Sequence, residues 1–212
     1  MCSGRIDLEF MLRAFAKGAD GVLVGGCRLN ECNYITHGNY DALSNVFLCR
    51  KIMRHMGLDP QRLRIEFMSS GDGLRLVEVA NEFSRQVEAI GPLGESEGIQ
   101  PERLKLKLEA VMKLVPYVKL VEREKLRVPV KSEEAYHRFF ESEEINRFID
   151  DLIIDKMAVS QIMLLLREKP LTAGEIAETL GLAPSEVARH MKNSSCQGLV
   201  RYDVGARRFA LA

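Results

Sequence analysis

The sequence lacks an excess of charge of either sign. Its 30 lysines and arginines balance 30 aspartates and glutamates, so no global field draws the molecule to nucleic acid or to an acidic membrane, and any such binding must be local. A long apolar run is missing as well. The longest, around Met157 to Leu166, is about half of the roughly 20 residues that a spanning helix needs. The opening Met-Cys-Ser-Gly-Arg has neither the basic nor the apolar stretch of a secretory signal. Five cysteines cannot all pair within one chain, which favours reduced thiols and a cytoplasmic protein. No fixed-period repeat and no low-complexity tract is present.

Several chemistry-bearing motifs are absent too. No Gly-x-x-x-x-Gly-Lys-Ser/Thr loop occurs, and the glycines before Cys27 lack the Gly-x-Gly-x-x-Gly order of a dinucleotide site. His37, His55, His137 and His190 fall in four different elements with no His-x-x-x-His pair, so each reads as a surface or hydrogen-bonded polar residue. Ser69, Ser70 and Asp72 have no neighbouring histidine base. The run Glu133, Glu134, Glu141, Glu143 and Glu144 reads as a solvated helix face. No catalytic residue is assigned.

What is present is a 46% hydrophobic chain long enough for one large or two small cores. Ile6, Phe10, Met11, Ala14 and Phe15 are spaced for a helix that stops at Gly18. Val22-Leu-Val24 is a β-branched run opening into Gly25-Gly26, the pattern of a buried strand and its exit loop. A second helix is predicted from Tyr40 to Met56 with Gly57 as its stop, a strand at Arg62–Met68, and a further helix from Leu74 to Ile90. This order defines a small α/β unit with a parallel sheet in three layers over residues 1–92. In such sheets ligands gather at the carboxyl ends of strands.

The polar, glycine-bearing stretch 93–101 reads as a linker. A helical connector or docking region follows to residue 156, with one helix from Leu104 to Leu126 bent at Pro116. The last module, 157–212, is more specific. Thr172 and Glu175 form a capping-box start, Gly181 ends that helix, Pro184 opens another, and Leu199–Leu211 reads as a hairpin turning at Gly205. Helix, turn, helix and hairpin make a winged helix. Arg189, Lys192, Arg201, Arg207 and Arg208 give it a modest basic patch of the kind that contacts phosphate, with Arg189, Lys192, Arg207 and Arg208 the candidate DNA contacts. With few base-reading side chains on its second helix, protein docking stands slightly ahead of DNA binding.

Cys27 and Cys32, with four residues between them, lie on the glycine-led loop after the first strand, close enough to ligate one metal or cluster. Gly25 and Gly26 would let backbone amides approach cluster sulfides, although a plain tight turn needs glycine as well. Cys2 would sit at the end of a preceding strand beside that loop. Spacing alone leaves open that all three are small buried hydrophobes. Cys49, amid Phe47, Leu48 and Ile52, reads as packing, and Cys196 as structural.

Taken together, Cys2-Ser-Gly-Arg5, Gly18-Ala-Asp-Gly-Val-Leu-Val-Gly-Gly-Cys27, Cys32-Asn-Tyr34 and Gly38-Asn39 resemble the delta-subunit family of methyl-viologen-reducing hydrogenase over residues 1–92. The resemblance implies an α/β domain carrying a [2Fe-2S] cluster, with Cys2, Cys27 and Cys32 as ligands. It also implies an electron relay between a hydrogenase or formate dehydrogenase and the flavin subunit of a heterodisulfide reductase-like complex. The family pattern places a further strand and a Cys-x-x-Cys-type motif, in some members with selenocysteine, upstream of Cys-Ser-Gly-Arg. The sheet is then expected to lack its first strand here, Met1 to be an internal methionine, and the fourth ligand to lie upstream. Where the family often has histidine after the second loop cysteine, this chain has Asn33. The rival expectation is a redox-sensing winged-helix transcriptional regulator whose thiol site controls DNA affinity.

Overall fold

The computed structural model describes residues 2–34 and 37–212. Met1 lies outside the described residues, and with it the expectation that it is internal. Helix α1 (Leu8–Ala16) is capped by Asp7, whose carboxylate accepts from the N–H groups of Glu9 and Phe10. Its buried stripe is Leu8, Met11, Leu12 and Phe15, whereas Phe10 is 62% exposed. The apolar set expected from the sequence is therefore partly off phase. At 100° per residue, Leu8, Met11, Leu12 and Phe15 share one face and Phe10 falls outside it.

Strand β1 (Val22–Gly26) pairs in parallel with β2 (Leu63–Phe67), from Val22 opposite Leu63 to Gly26 opposite Phe67. Helix α2 (Asn39–Met56) connects them and ends on Gly57 at φ 84°, a left-handed C-cap that glycine adopts without strain. The register puts Val22, Val24, Leu63, Ile65 and Phe67 on one face, packed into the core with α1 and α2. On the other face Arg64 and Glu66 make ion pairs with Glu82 and Arg75 of α3 (Gly73–Ile90). The expected sheet is thus a pair of strands among the described residues.

Arg62 is fully buried behind β2. Its guanidinium donates to the carbonyls of Asp20 (3.0 Å), Gly91 (2.7 Å) and Pro92 (3.2 Å) and pairs with Glu97 at 2.6 Å. The polar stretch after Ile90 is fastened to the first module through this group. Helix α4 (Pro101–Lys125) runs on through Pro116. It is followed by α5 (Glu133–Glu141), α6 (Glu143–Ile149), a π-helical turn over Asp150–Ile154 and α7 (Asp155–Glu168).

One hydrophobic core joins α1, α2 and β1 to Leu108, Val111, Val115 and Val118 of α4, then to Phe140, Ile149 and Ile153. Helix α7 leaves this core at Met157 and enters a second at Ile162. That second core is built with α8 (Ala173–Leu180), α9 (Pro184–Cys196) and the antiparallel hairpin of β3 (Val200–Asp203) and β4 (Arg208–Leu211). Thr172 and Glu175 close the expected capping box, and Leu171 bridges Phe209 at the base of the wing. Helix α4 also reaches the second module. Arg103 donates to the Leu180 carbonyl at 2.6 Å, and Ser160 donates to that of Ala110 at 3.1 Å.

Candidate functional site: a thiol pair at the strand ends

Cys2 caps a single 3-10 turn, Ser3–Arg5, and its sulfur accepts from the Gly4 N–H at 3.4 Å. This turn rests on the end of β1. A Cβ at Gly26 would come within 2.8 Å of the Ser3 hydroxyl, which is buried and has no hydrogen-bond partner among the described residues. From the other side Gly4 meets the backbone at Gly38, where a Cβ would stand 2.6 Å from the carbonyl oxygen. At Gly38 a Cβ would stand 2.6 Å from the Cys32 sulfur. Three glycines therefore let three chain segments close around two thiols, in a space no larger residue could share.

Within that cradle the Cys2 and Cys32 sulfurs are 3.7 Å apart. A disulfide would need about 2.05 Å. Two thiolates on one tetrahedral metal, each bonded at about 2.3 Å, stand about 3.8 Å apart. The backbone N–H of Tyr34, helped by that of Asn39 and by the Cys2 thiol, holds the Cys32 thiol below its usual range against the opposing effect of its burial. The pair is thus spaced, and Cys32 polarised, to suit tetrahedral thiolate coordination of the zinc or iron-sulfur kind.

The loop after β1 is pinned on several sides. Asn39, buried on the first turn of α2, donates to the carbonyls of Cys27 (2.9 Å) and Arg28 (2.8 Å). Arg28 pairs with Asp72 at 2.6 Å, and Asp72 also accepts from the Ser69 N–H at 2.9 Å, joining the loops that follow β1 and β2. Asn30, held at φ 69°, meets the Tyr40 hydroxyl at 3.0 Å, and that hydroxyl also lies 2.8 Å from the Lys131 carbonyl.

Of the three cysteines singled out in the sequence, the structure brings Cys2 and Cys32 together. Cys27 is exposed on the same loop. Among the described residues no three or more His, Cys, Asp or Glu side chains gather as a metal-ligand set. Cys49 is fully buried, and burial pushes its thiol up to about 12, as packing requires. Cys196 is exposed at the end of α9 rather than packed as a structural residue. His190 is buried, so the surface reading fails for that histidine.

In the winged helix, Arg189 makes a bidentate pair with Asp155 (2.9 and 3.0 Å), and Arg208 pairs with Glu175 at 3.1 Å while donating to the Pro170 carbonyl. Lys192 and Arg207 are exposed, the latter at φ 52° in the wing turn. Asn39 and Tyr40 were legible only as part of a motif or as a helix start. Their roles depend on partners 10 to 12 residues back along the chain and, for Tyr40, also on Lys131, 91 residues ahead.

A strand-end thiol pair in a glycine cradle, joined to a winged helix, is the class of molecule that the fold defines. Residues 1–91 match the family described as methyl-viologen-reducing hydrogenase, delta subunit, and residues 158–202 match that of the bacterial regulatory protein, arsR family. The vhu iron-sulfur subunit of the F420-non-reducing hydrogenase of Methanopyrus kandleri is 36% identical over 92 residues, which are 43% of this chain and 69% of that protein. The iron-sulfur subunit of the F420-non-reducing hydrogenase of Archaeoglobus profundus is 44% identical over 91 residues, 43% of this chain and 66% of the relative. One subunit of the ferredoxin/F420H2-dependent CoB-CoM heterodisulfide reductase of Methanosarcina acetivorans is 48% identical over 94 residues, 44% of this chain but only 12% of that relative. Through its N-terminal module the chain belongs to the methyl-viologen-reducing hydrogenase delta-subunit family.

Proposed function

We propose that this protein is an electron-transfer subunit that holds a [2Fe-2S] cluster at the carboxyl ends of β1 and β2. The observation that carries the reading is the Cys2–Cys32 pair, whose 3.7 Å separation suits two thiolates on one iron. In this reading Cys27 supplies a third ligand from the pinned loop, and the fourth comes from outside these three, since such clusters take four. When bound, the cluster carries single electrons. The chain's own part is to favour the thiolate form of Cys32 through the Tyr34 and Asn39 N–H groups and to keep bulk out with Gly4, Gly26 and Gly38. The described residues contain no helix long and apolar enough to cross a membrane.

The names of the relatives support the partners. The same module is found in proteins named as iron-sulfur subunits of hydrogenases and within larger proteins named as heterodisulfide reductase subunits. The partners in this proposal are a heterodisulfide reductase-like flavin subunit on one side and a hydrogenase or formate dehydrogenase on the other. Residues 1–92 act as the cluster module, completed as a three-layer sheet, 93–156 as the docking region and 157–212 as the winged helix.

The test is anaerobic purification of the protein from its full reading frame, upstream codons included, with iron, sulfide and electron paramagnetic resonance measurements. Stoichiometric iron and sulfide that fall away in Cys2→Ser and Cys32→Ser support the reading. A colourless, iron-free protein overturns it.

The arsR-family match favours one second reading, a redox-sensing regulator in which the thiol site sets DNA affinity through α4 and α7. Arg189 is engaged by Asp155 at the start of α7 and Arg208 by Glu175, which leaves Lys192 and Arg207 of the four candidates to contact phosphate. Operator binding that weakens steeply with salt would support this reading over docking.

A further inference from the structure

Arg50 lies half-buried on α2 against β2, and its Nε donates to the Leu63 carbonyl at 2.8 Å. One turn further on is Arg54. Among the described residues neither takes part in an ion pair, whereas the neighbouring Arg64 is neutralised by Glu66 at 2.9 Å and Glu82 at 3.4 Å. Burial pulls the Arg50 guanidinium down from its usual value; Cys49 opposes this, and the like charge of Arg64 adds to it. A cation withdrawn from water with no counter-charge is costly, and the cost is relieved when an anion arrives.

The space beside these arginines is a cavity of about 400 Å3 lined by Arg50, Arg54, Arg64, Gln61 and Gln86, with Ile65 as an apolar wall and no lining carboxylate. It lies along Pro60–Ile65, at the opposite end of the sheet from the cysteines. Its size falls in the range of small-molecule sites, roughly 300 to 1,000 Å3. Arg54 also lines an adjoining cavity of about 230 Å3, shared with Lys51, His55 and Asp150 beside the π-helical turn. The carbonyl end of α2 opposes an anion by only about half a charge. Two unpaired guanidiniums outweigh it.

We propose that the larger cavity binds a small phosphorylated ligand, with the phosphate seated between Arg50 and Arg54 and the remainder held by the Gln61 and Gln86 amides. Guanidinium forks match phosphate oxygens in pairs, which a single ammonium cannot do. The Gln86 side-chain amide donates to the Gln61 backbone carbonyl at 3.0 Å and lies 3.5 Å from the Gln61 side-chain oxygen, so the two side chains stand together as one polar wall.

The test is calorimetric titration of the full chain at low ionic strength with pyrophosphate and with ADP, and with adenosine as the phosphate-free control. Saturable binding of both phosphates without binding of adenosine is expected, weakened about tenfold or more by Arg54→Gln and by Arg50→Gln. Arg13→Gln on α1, far from the cavity, should leave the affinity unchanged. Failure of both phosphates to saturate overturns the proposal. So does adenosine binding as well as ADP, or unchanged affinity in Arg54→Gln. Arg54 is exposed, so that variant decides the matter even if Arg50→Gln fails to fold.

Discussion

The Asn39 side-chain amide donates to two consecutive carbonyls, those of Cys27 at 2.9 Å and Arg28 at 2.8 Å, so a residue that opens α2 sets the course of the cysteine loop. Both carbonyls would lose their partner in Asn39→Ala. Unpaired buried polar groups cost about 1–3 kcal/mol each, and the loop is close enough to the surface for water to recover part of that. The expected result is a loss of about 2 kcal/mol in urea unfolding, together with weaker iron retention. Asn39→Asp keeps the volume but loses the donor, and should resemble the alanine variant in both measurements.

Gly38 should be as intolerant of change, for a steric reason. A Cβ there would stand 2.6 Å from the Cys32 sulfur, so Gly38→Ala has to push the thiol or the backbone of the loop aside. Gly25 is the internal control, because a Cβ at that position meets nothing within 4 Å. After anaerobic reconstitution, Gly38→Ala is expected to lose most of its iron with its far-ultraviolet circular dichroism unchanged. Gly25→Ala should retain its iron. Equal retention by the two variants would mean that the cradle has no part in holding the metal.

How far these features were legible follows from the range of the interactions. Caps are local, so Gly57, Gly181 and the Thr172–Glu175 box were readable from the sequence and occur as read. The parallel order of β1 and β2 followed from the helix between them. The phase of α1 differs from the expected one because Phe10 is apolar yet faces outward, and short windows weight hydrophobicity over angle. Arg62 and Glu97 meet across 35 positions, and Cys2 and Cys32 across 30. No local pattern encodes such a pairing. The resemblance brought Cys2, Cys27 and Cys32 into view as a set, but the sequence paired Cys27 with Cys32, whereas the structure pairs Cys32 with Cys2 and leaves Cys27 exposed.

Breaking the Arg62–Glu97 pair should be among the most damaging single changes. Arg62 is fully buried and gathers three carbonyls in addition to the carboxylate. Glu97→Gln leaves it a buried cation without a counter-charge, a change that typically costs about 3–5 kcal/mol. Burial disfavours the Glu97 carboxylate, yet Arg62 and the N–H groups of Asp59 and Gly94 outweigh that and hold it below its usual range. A carboxyl depressed in the folded state contributes stability above its unfolded pKa, and the contribution is lost as pH falls through the folded value. Wild type should therefore lose stability on acidification below about pH 4.5. In Glu97→Gln that part of the acid dependence should be missing from chemical unfolding curves.

His190 gives the winged helix an acid limit nearer neutrality. The ring is buried, and burial first, then the charge of Arg189, lowers its pKa below 6.5, with Asp155 and Glu186 pulling the other way. The unfolded chain then binds a proton at a pH where the folded chain does not. Stability from this group is complete above the unfolded pKa and is lost as pH falls below about 6.5 towards the folded value, by at most about 1.4 kcal/mol per pH unit for one proton. His190→Leu removes the titrating ring and places an apolar side chain beside Val187 and Met191, which belong to the same core. Thermal unfolding between pH 7 and pH 5 should show a smaller decline in the variant than in wild type. His55, whose pKa is also lowered by burial, contributes to the part that remains. Parallel declines in the two proteins would mean that folding does not lower the pKa of His190, contrary to its burial.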